Sequence, residues 1–422
     1  MYHKLIFEPR DLLFFRDGRP VNNGQGANWP LPQTAYAALS MAFRRYWPEP
    51  QSWESVCPSG SKSWSGKRFP SLKTFGPLPV KDNEIYVPTP ADLKPGAIMA
   101  PLLHVPGKSN LPAAVLYPAG ADLEASKDVC DPWISLAELS KYLNGNPDVR
   151  TVPNSELFEI EERPGIEVDP ELHSAVDGKL FFGSYLRLHE NVRMCLFAEC
   201  MSMQTDVIEE FYSGRKEQSF TFGGQRGVVI SRMEKFDPEN IPLLFNCGLP
   251  TPASNLHWRI PDWTLPFNCG LPTRSRYIKW VLLSPAAYSR GWLPSFLNDD
   301  GKVMLPRLSG ELPVRSDFST RKAYREACQK ASVPVKARLV SAVIPKNRSC
   351  SGWNQERGCP EDTLNLVSSG TVYYFEAETE EDGMALASLL TQGRNSEFFG
   401  SQGLGMGVCT SFNYLDFNDL KK

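Results

Sequence analysis

The segment TVYYFEAETEEDGMALASLLTQGRNSEFFGSQGLGMGVCTSFNY, residues 371–414, carries the strongest secondary-structure pattern in the chain. Its apolar start predicts a strand over 371–377, and apolar residues at helical spacing predict an amphipathic helix over 382–391. A glycine-rich run at 400–407 then leads into a last strand, predicted over 408–414. A strand, a helix, a glycine-rich turn and a strand in this order are typical of a split β-α-β unit.

The beginning of the chain has a similar order of elements. Residues 3–15 alternate between polar and apolar and then become continuously apolar, which predicts one or two strands that end at a turn over 16–20. A helix is predicted to begin near Pro32, because apolar residues then recur every three or four positions. With further strands predicted over 277–283 and 337–344, the sequence indicates an α+β fold with two such units.

The middle of the chain is less regular. Residues 48–120 are rich in Pro, Gly, Ser and Lys, and we interpret them as an extended insertion over the core, with one strand at 84–87. Apolar runs at 180–182 and 194–198 predict two strands, and the polar segment 187–191 is predicted to join them as a hairpin.

Composition limits the class of protein. The 422 residues favour two domains, and 36 Pro with 31 Gly indicate many irregular connections. With 45 basic and 48 acidic residues the net charge is −3, which excludes a strongly basic nucleic-acid binder. Charges interrupt the N-terminal apolar residues, and no window is long enough for a membrane span. We therefore expect a cytoplasmic protein without a membrane partner.

Opposite charges are concentrated in two different regions. Residues 121–175 contain thirteen acidic and four basic residues, a net charge of −9. Residues 271–350 contain fifteen basic and five acidic residues, a net charge of +10. A concentrated basic surface binds polyanions by releasing counterions from phosphates. The basic region therefore suggests a polyanion partner, although a solvated loop that aids solubility is an equal alternative.

Catalytic and metal-binding motifs are missing from the sequence. Its ten cysteines form no Cys-x-x-Cys, its five histidines are not at metal spacing, and no nucleophile elbow or P-loop occurs. We expect no metal, no cofactor and no catalytic residues. The alternative is a metal-independent endoribonuclease that uses His3 or His189 as a base, although a strand histidine is more often structural.

Glycines occur where the backbone is predicted to turn or to approach another group closely. One set, Gly223, Gly224 and Gly227, brackets Arg226 just before a predicted strand. The other set, at 400–407, exposes N–H groups that a phosphate can approach. A tight helix-to-strand turn is the structural alternative for this second set.

Several of these segments together resemble one known family. They are DLLFFRDGRP at 11–20, GGQR at 223–226, SPAAYSRGWLP at 284–294, and SGWN at 351–354 followed by SGTVYYF at 369–375. In this order they are similar to the third Cmr subunit of type III-B CRISPR effector complexes, a repeat-associated mysterious protein (RAMP). The chain departs from the family pattern at Gln225 and Gly227, where an acid and a second arginine are common.

The resemblance implies two ferredoxin-like (RRM-like) domains with long loop insertions. The first spans 1–235 and includes the Pro-rich and acidic insertions. A linker over 236–275 contains the duplicated segment FNCGLPT, and the second domain, with the terminal glycine loop, spans 276–422.

The resemblance also implies a non-catalytic role in an RNA-guided ribonucleoprotein. Family members hold the five-prime handle of the CRISPR RNA (crRNA) and join the large polymerase-like Cmr subunit to the Cmr backbone subunits. Arginine can clamp phosphates, and single-stranded bases stack on aromatic or guanidinium planes. The positions that correspond to RNA-binding sites are Arg16, Arg19, Gly223, Gly224, Arg226, Arg290, Trp292, Gly403, Leu404 and Gly405.

Overall fold

A computed structural model provides the structure of the chain. It describes residues 2–16, 29–47, 69, 71–107, 110–122, 128–169, 171–202, 205–234, 275–308, 317–351, 353–354, 359–360, 362–392 and 395–421. Arg19 and residues 236–274 of the predicted linker lie outside the described residues. We call residues 2–234 the N-terminal half and residues 275–421 the C-terminal half.

The N-terminal half is rich in strands and has three α-helices among its described residues. The helices are α1 (Pro32–Tyr46), α2 (Leu136–Leu143) and α3 (Val207–Tyr212). The strands are β1 (His3–Pro9), β2 (Lys73–Lys81), β3 (Glu84–Pro88), β4 (Leu93–Lys94), β5 (Ala97–Ile98), β6 (Ala100–Leu103), β7 (Ala119–Gly120), β8 (Trp133–Ser135), β9 (Thr151–Val152), β10 (Phe158–Val168), β11 (Ala175–Leu188), β12 (Val192–Glu199), β13 (Met201–Ser202), β14 (Thr205–Asp206), β15 (Gln218–Thr221) and β16 (Val228–Glu234).

Eight of these strands form one sheet in the order β15-β16-β1-β12-β2-β3-β8-β9. Its central strands β16, β1, β12 and β2 pair antiparallel. In chain order they are the fourth, first, third and second strands of a β-α-β-β-α-β unit, with α1 after the first and α3 after the third. This is the ferredoxin-like arrangement that the resemblance implied.

Strand β2 corrects the sequence interpretation of residues 48–120 as an insertion over the core. Its seven central residues are buried, and it pairs with both β12 and β3 inside the sheet. The prolines at 77 and 79 concealed this strand, because proline cannot donate a ladder hydrogen bond. Gly76 and Pro77 lie opposite a register shift between Cys195 and Phe197, where the ladder tolerates the missing donor.

The predicted hairpin across residues 187–191 is also wrong. Strand β11 pairs with β10 over ten residues of each strand, whereas β12 pairs with β1 and β2. The apolar run at 180–182 belongs to the outer part of the β10–β11 hairpin. The apolar pattern of a strand shows which of its residues face the core but not which strand lies next to it. For this reason the sequence pattern predicts a pairing of two consecutive strands that the structure does not contain.

The C-terminal half repeats the ferredoxin-like order. Its helices are α4 (Arg321–Lys330) and α5 (Glu380–Gln392), and its strands are β17 (Tyr277–Leu282), β18 (Pro306–Leu308), β19 (Ser332–Pro334), β20 (Ala337–Val343), β21 (Arg348–Cys350), β22 (Trp353–Asn354), β23 (Cys359–Pro360), β24 (Leu364–Leu366), β25 (Val372–Ala377), β26 (Gly407–Ser411) and β27 (Leu415–Asp416). Four antiparallel strands lie in the order β26-β17-β25-β20. The predicted α+β class is confirmed.

The two sheets pack face to face, with α1 and α3 on the outer face of one, α5 on the outer face of the other, and α2 packed in the core between the halves. Alternation along β1 sends Leu5 and Phe7 toward α1 and α3, and Ile6 toward the other half. Along β17, Trp280 packs with α5, while Val281 joins the core shared with the N-terminal half. The halves therefore form one continuous structure with a large common apolar core.

A buried charge cluster lies in this shared core. The Asp92 carboxylate is fully buried and lies 3.3 Å from the Lys279 ammonium of β17. It accepts hydrogen bonds from the hydroxyls of Tyr142, at 2.5 Å, and Tyr374, at 2.7 Å. Burial, and then the Asp92 charge, raise the pKa of both tyrosines, so they remain donors. The cluster links the two halves through four side chains.

The helices of the described residues are all short or polar. None of them combines the length and the apolar character that crossing a bilayer requires.

Candidate nucleic-acid interface

A short segment after β1 brings several of the predicted RNA-binding residues together. Leu13 forms an antiparallel bridge with Leu186 of β11, and Phe14 forms one with Gly224. The Gly224 amide donates to the Phe14 carbonyl at 2.8 Å. Arg16 lies two residues after Phe14, and Arg226 lies two residues after Gly224, so each arginine is on one of the two segments that this contact joins.

The turn between β15 and β16 presents Arg226. Gln225 and Arg226 have φ values of 50° and 60°, and the Gly227 amide donates to the Gly224 carbonyl. Two central residues with positive φ are typical of a type I′ hairpin turn. The turn points the side chain of Arg226 into solvent, where it is exposed.

Gly223 and Gly224 allow this turn to pack on the segment after β1. A Cβ atom on Gly223 would lie 2.6 Å from the Phe14 carbonyl oxygen, and one on Gly224 would lie 2.9 Å from the Phe14 ring. The close backbone approach that the glycines predicted is present, and the approaching group is the protein's own chain. The two glycines therefore support the surface through packing.

Gly223→Ala is expected to lower the free energy of unfolding by about 1–3 kcal/mol, because it adds a backbone collision to a left-handed φ of 80°. Chemical denaturation measures the change. Gly214→Ala is the matched control, since Gly214 has a φ of 70° but open space around it. Equal losses for the two variants would contradict the role assigned to the close approach.

Two aromatic rings contact each other where the segment after β1 meets the β15–β16 turn. The rings of Phe14 and Tyr185 are 5.5 Å apart at their centroids, both are partly exposed, and the Tyr185 hydroxyl donates to Oε1 of Gln225. Arg16 and Arg226 are exposed and have no ion-pair partner within the described part of the chain. We call Phe14, Arg16, Tyr185, Gln225 and Arg226 the Arg16–Arg226 surface. It combines two exposed arginines, unpaired among the described residues, with a partly exposed aromatic pair.

Arg290 and Trp292 lie in a loop of the C-terminal half. The Arg290 guanidinium contacts Asp299 at 2.8 Å and donates to the carbonyls of Pro294 and Leu297. Trp292 is partly buried on the outer core, and its carbonyl accepts a hydrogen bond from Tyr373. Arg290 therefore braces its own loop, and no hydrogen bond or ion pair among the described residues joins this loop to the Arg16–Arg226 surface.

The glycine turn at 403–405 lies between the two halves. Leu404 is fully buried, and a Cβ atom on Gly403 would lie 2.8 Å from the Thr74 carbonyl oxygen of β2. The amides of Gly403, Leu404 and Gly405 donate to carbonyls of Gly400, Phe399 and Pro285. Since these three donors are used internally, the geometry assigns the turn to packing between the halves.

A cleft of about 420 Å³ also lies at the junction of the halves. Its walls include the rings of Trp29 and Trp133, with Lys94 and Arg348 nearby. The Arg348 guanidinium donates to the Trp29 carbonyl at 2.5 Å. Aromatic rings beside cations suit a nucleobase and its phosphate, so the cleft is a second candidate RNA surface.

The two histidines of the ribonuclease alternative lie apart. His3 is buried, with Nε2 2.8 Å from Oδ2 of Asp206, and His189 contacts the Ser155 carbonyl. His3 pairs with Ala198 at one end of β12, whereas His189 precedes its other end. Six residues of strand separate them by about 20 Å, so they cannot act as one acid-base pair.

His3 also belongs to a possible metal-ligand group. Its Nε2 and carboxylate oxygens of Asp206 and Glu209 lie within 4.8 Å of one another, and this is the one such group among the described residues. Although burial raises the pKa of Asp206, the His3 hydrogen bond and two backbone donors lower it overall. Asp206 also caps α3, so its contact with His3 links β1 to the start of that helix. This structural role explains why the three side chains lie together.

Phe14, Tyr185 and Gln225 were missed as candidate site residues. Phe14 lies in an apolar run that predicts a strand, and Tyr185 lies 40 residues from its partner Gln225. The alternation within β11 was the available signal, because it places Tyr185 on the face opposite the buried Leu186.

Comparison with known proteins identifies the family. The family model described as "CRISPR-associated protein (Cas_Cmr3)" matches residues 5–246 and 270–409. The chain belongs to the Cas_Cmr3 family. The resemblance to the third Cmr subunit indicated by its motifs is therefore confirmed. No curated protein matches this Cas_Cmr3 family member.

Solved structures similar to this Cas_Cmr3 chain come from type III CRISPR complexes. One is a chain of the type III-B Cmr-beta complex bound to cognate target RNA and AMPPnP, with 10% identity, a TM-score of 0.44, and coverage of 88% of this chain and 86% of that one. Another is from a Csm3–Csm4 subcomplex, with 8% identity, a TM-score of 0.35 and coverage of 89% and 94%. A third, from a Csm1–Csm4 cassette with AMPPNP, has 12% identity, a TM-score of 0.31 and coverage of 90% and 89%.

Proposed function

We propose that this chain is a non-catalytic RNA-binding subunit of a type III-B CRISPR effector complex. It holds the five-prime handle of the crRNA and joins the large polymerase-like subunit to the backbone subunits in antiviral defence. Membership of the Cas_Cmr3 family supports the assembly, and the Arg16–Arg226 surface supports the RNA contact.

The observation that carries the RNA contact is that Arg16 and Arg226, which have no ion-pair partner among the described residues, lie on segments that meet at the partly exposed rings of Phe14 and Tyr185. A guanidinium without an internal partner can bind a phosphate bidentately, and this charge-assisted contact contributes about 1.5–3 kcal/mol. Single-stranded bases stack on aromatic planes whatever their sequence. Phe14 and Tyr185 supply such planes, because Phe14 lies two residues before Arg16 and Tyr185 donates to Gln225, the neighbour of Arg226 in the chain. In this proposal Arg19 adds a third cation three residues after Arg16.

The remaining predicted residues take supporting roles in the proposal. Gly223 and Gly224 let the β15–β16 turn approach Phe14. The turn at 403–405 packs between the two halves and holds them together. Arg290 and Trp292 shape the loop at 290–299, which we propose as a contact for RNA or for a neighbouring subunit.

The alternative function, a metal-independent RAMP endoribonuclease, has less support. Cleavage of RNA without a metal needs a base that reaches the 2′-hydroxyl. His3 is buried against Asp206, and His189 is used by the Ser155 carbonyl. Neither histidine lies in the Arg16–Arg226 surface.

Incubation of the purified protein with CRISPR repeat RNA in EDTA is expected to leave the RNA intact, because neither His3 nor His189 is placed to activate a 2′-hydroxyl. Denaturing gel electrophoresis over several hours is the measurement. Cleavage that disappears in His3→Ala or His189→Ala would establish the ribonuclease instead. Cleavage that persists in both variants would indicate a contaminating nuclease.

A further inference from the structure

The hydroxyl of Tyr185 holds the side-chain amide of Gln225 in one orientation. Tyr185 lies near the end of β11 and Gln225 lies in the β15–β16 turn, and the Tyr185 hydroxyl donates a hydrogen bond to Oε1 of Gln225. Gln225 is exposed and Tyr185 is partly exposed. The contact therefore fixes the orientation of two polar groups that a ligand can reach.

Backbone hydrogen bonds hold both ends of this pair. The residue that follows the tyrosine, Leu186, exchanges two backbone hydrogen bonds with Leu13, at 2.7 and 3.0 Å. The residue that precedes the glutamine, Gly224, donates its amide to the Phe14 carbonyl at 2.8 Å. Since Leu13 and Phe14 are adjacent, one segment anchors both partners. The pair is therefore arranged before any ligand binds, which lowers the entropy cost of binding.

Gly183 provides the space that the Tyr185 ring occupies. The two residues lie two positions apart on β11, so they share a face of the strand. A Cβ atom on Gly183 would lie 3.0 Å from Cε2 of the Tyr185 ring and 3.5 Å from its hydroxyl oxygen. The ring therefore lies over Gly183, and this position brings its hydroxyl to Gln225.

The hydrogen bond between the two side chains decides what they can offer to a ligand. The Tyr185 hydroxyl gives its proton to Gln225, so its oxygen can take part in a further hydrogen bond only as an acceptor. Oε1 of Gln225 already accepts this bond, whereas the Nε2 amide, which has two N–H donors, bonds to no other described residue. A ligand therefore meets an N–H donor from Gln225 beside the acceptor oxygen of Tyr185.

This order of donor and acceptor distinguishes the bases of RNA. Uracil presents its O4 keto oxygen beside the N3–H donor, and guanine presents O6 beside N1–H, so both edges are complementary to the pair. Cytosine and adenine have an amino group in place of the keto oxygen and a bare ring nitrogen in place of the N–H. With these two bases a donor faces a donor and an acceptor faces an acceptor, and such unpaired polar groups disfavour binding.

We propose that Gln225, oriented by Tyr185, selects a uracil or guanine base at one position of the five-prime handle. The base stacks on the partly exposed ring of Phe14, which contacts the Tyr185 ring, and its keto oxygen accepts a hydrogen bond from Nε2 of Gln225. Arg16 and Arg226 bind phosphates whatever the base, so they supply affinity and the Tyr185–Gln225 pair supplies specificity. The inference rests on the proposed function, because it names the base that the same surface recognises.

Equilibrium titration of the full chain with labelled handle RNAs, which carry each of the four bases at each handle position, tests the selection. One position is expected to favour uracil and guanine over adenine and cytosine by at least about tenfold, and the natural handle is expected to have uracil or guanine there. Gln225→Ala is expected to lower this ratio to below about twofold. Gln225→Glu is expected to reverse the preference, because a carboxylate accepts hydrogen bonds from the amino groups of adenine and cytosine.

Two further variants separate the orientation of the amide from the binding of RNA. Tyr185→Phe keeps the ring and removes the hydroxyl, so it is expected to lose the base preference while it still binds the handle. Arg226→Ala is the control, because loss of a phosphate contact is expected to weaken binding of all the RNAs by a similar factor and to leave the preference unchanged.

Two kinds of failure can be told apart in this experiment. Wild-type protein that binds the handle without this preference at any position, or a preference that persists in Gln225→Ala, would overturn the inference and leave the proposed function intact. Wild-type protein that binds none of the handle RNAs would overturn the proposed function, and the inference with it.

Discussion

Replacing Asp92 with alanine is expected to lower the free energy of unfolding by about 3–5 kcal/mol, because it leaves the Lys279 ammonium buried without its partner. The Lys279 side chain is 5% exposed, so water cannot replace the lost carboxylate. The hydroxyls of Tyr142 and Tyr374 would also lose an acceptor in the interior. Chemical denaturation followed by tryptophan fluorescence gives the difference.

A double-mutant cycle identifies the cause of this loss. Lys279→Met alone is expected to be similarly costly, whereas Asp92→Leu with Lys279→Met is expected to lose less than the sum of the single changes, because no charge remains buried. Glu378→Ala is the control, since its pair with Lys336 is exposed and is expected to contribute less than about 1 kcal/mol. A loss below about 1 kcal/mol for Asp92→Ala would refute the assigned role of the cluster.

Arg16→Ala with Arg226→Ala is expected to weaken binding of the five-prime handle RNA at least about 100-fold, since two charge-assisted contacts are removed. The slope of log K against log salt should also become shallower, by about 0.7 for each lost phosphate contact on single-stranded RNA. Equilibrium titration of labelled handle RNA at several salt concentrations measures both effects.

The matched control for this variant removes the same charge elsewhere. Arg150→Ala with Arg215→Ala changes two exposed arginines outside the Arg16–Arg226 surface. We expect it to change affinity only a few-fold, through the general field of the protein. If both double variants bind the handle equally, the RNA contact does not lie at Arg16 and Arg226. Phe14→Ala would then be expected to have no effect either.

Much of the fold could be predicted from local patterns. The strand predicted over 371–377 is observed at Val372–Ala377, and the helix predicted over 382–391 at Glu380–Gln392. Both have strong periodicity and clear ends. The partners of strands could not be predicted, because the order in a sheet depends on contacts between residues more than 100 positions apart, such as Ile6 with Cys195. The prolines of β2 are a local sequence feature that argues against a central strand, although a central strand is present.

In the candidate site, too, some features could be predicted from the sequence and others depend on the tertiary structure. Family motifs pointed to Arg16, Gly223, Gly224 and Arg226, and in the structure the segment that leads to Arg16 contacts the turn that contains the other three. The motifs could not separate residues that present a surface from residues that support it. Leu404 is an example, because burial between the halves is a property of the tertiary structure and not of its glycine-rich segment.

The most direct test of the central claim is where the handle lies in the assembled particle. A crRNA with 4-thiouridine in its five-prime handle can be crosslinked to the protein, and the crosslinked peptides identified by mass spectrometry. We expect crosslinks on the peptides that contain Phe14 and Arg16, Tyr185, or Gln225 and Arg226. Handle crosslinks confined to the C-terminal half or to other subunits, with none on these peptides, would contradict the account.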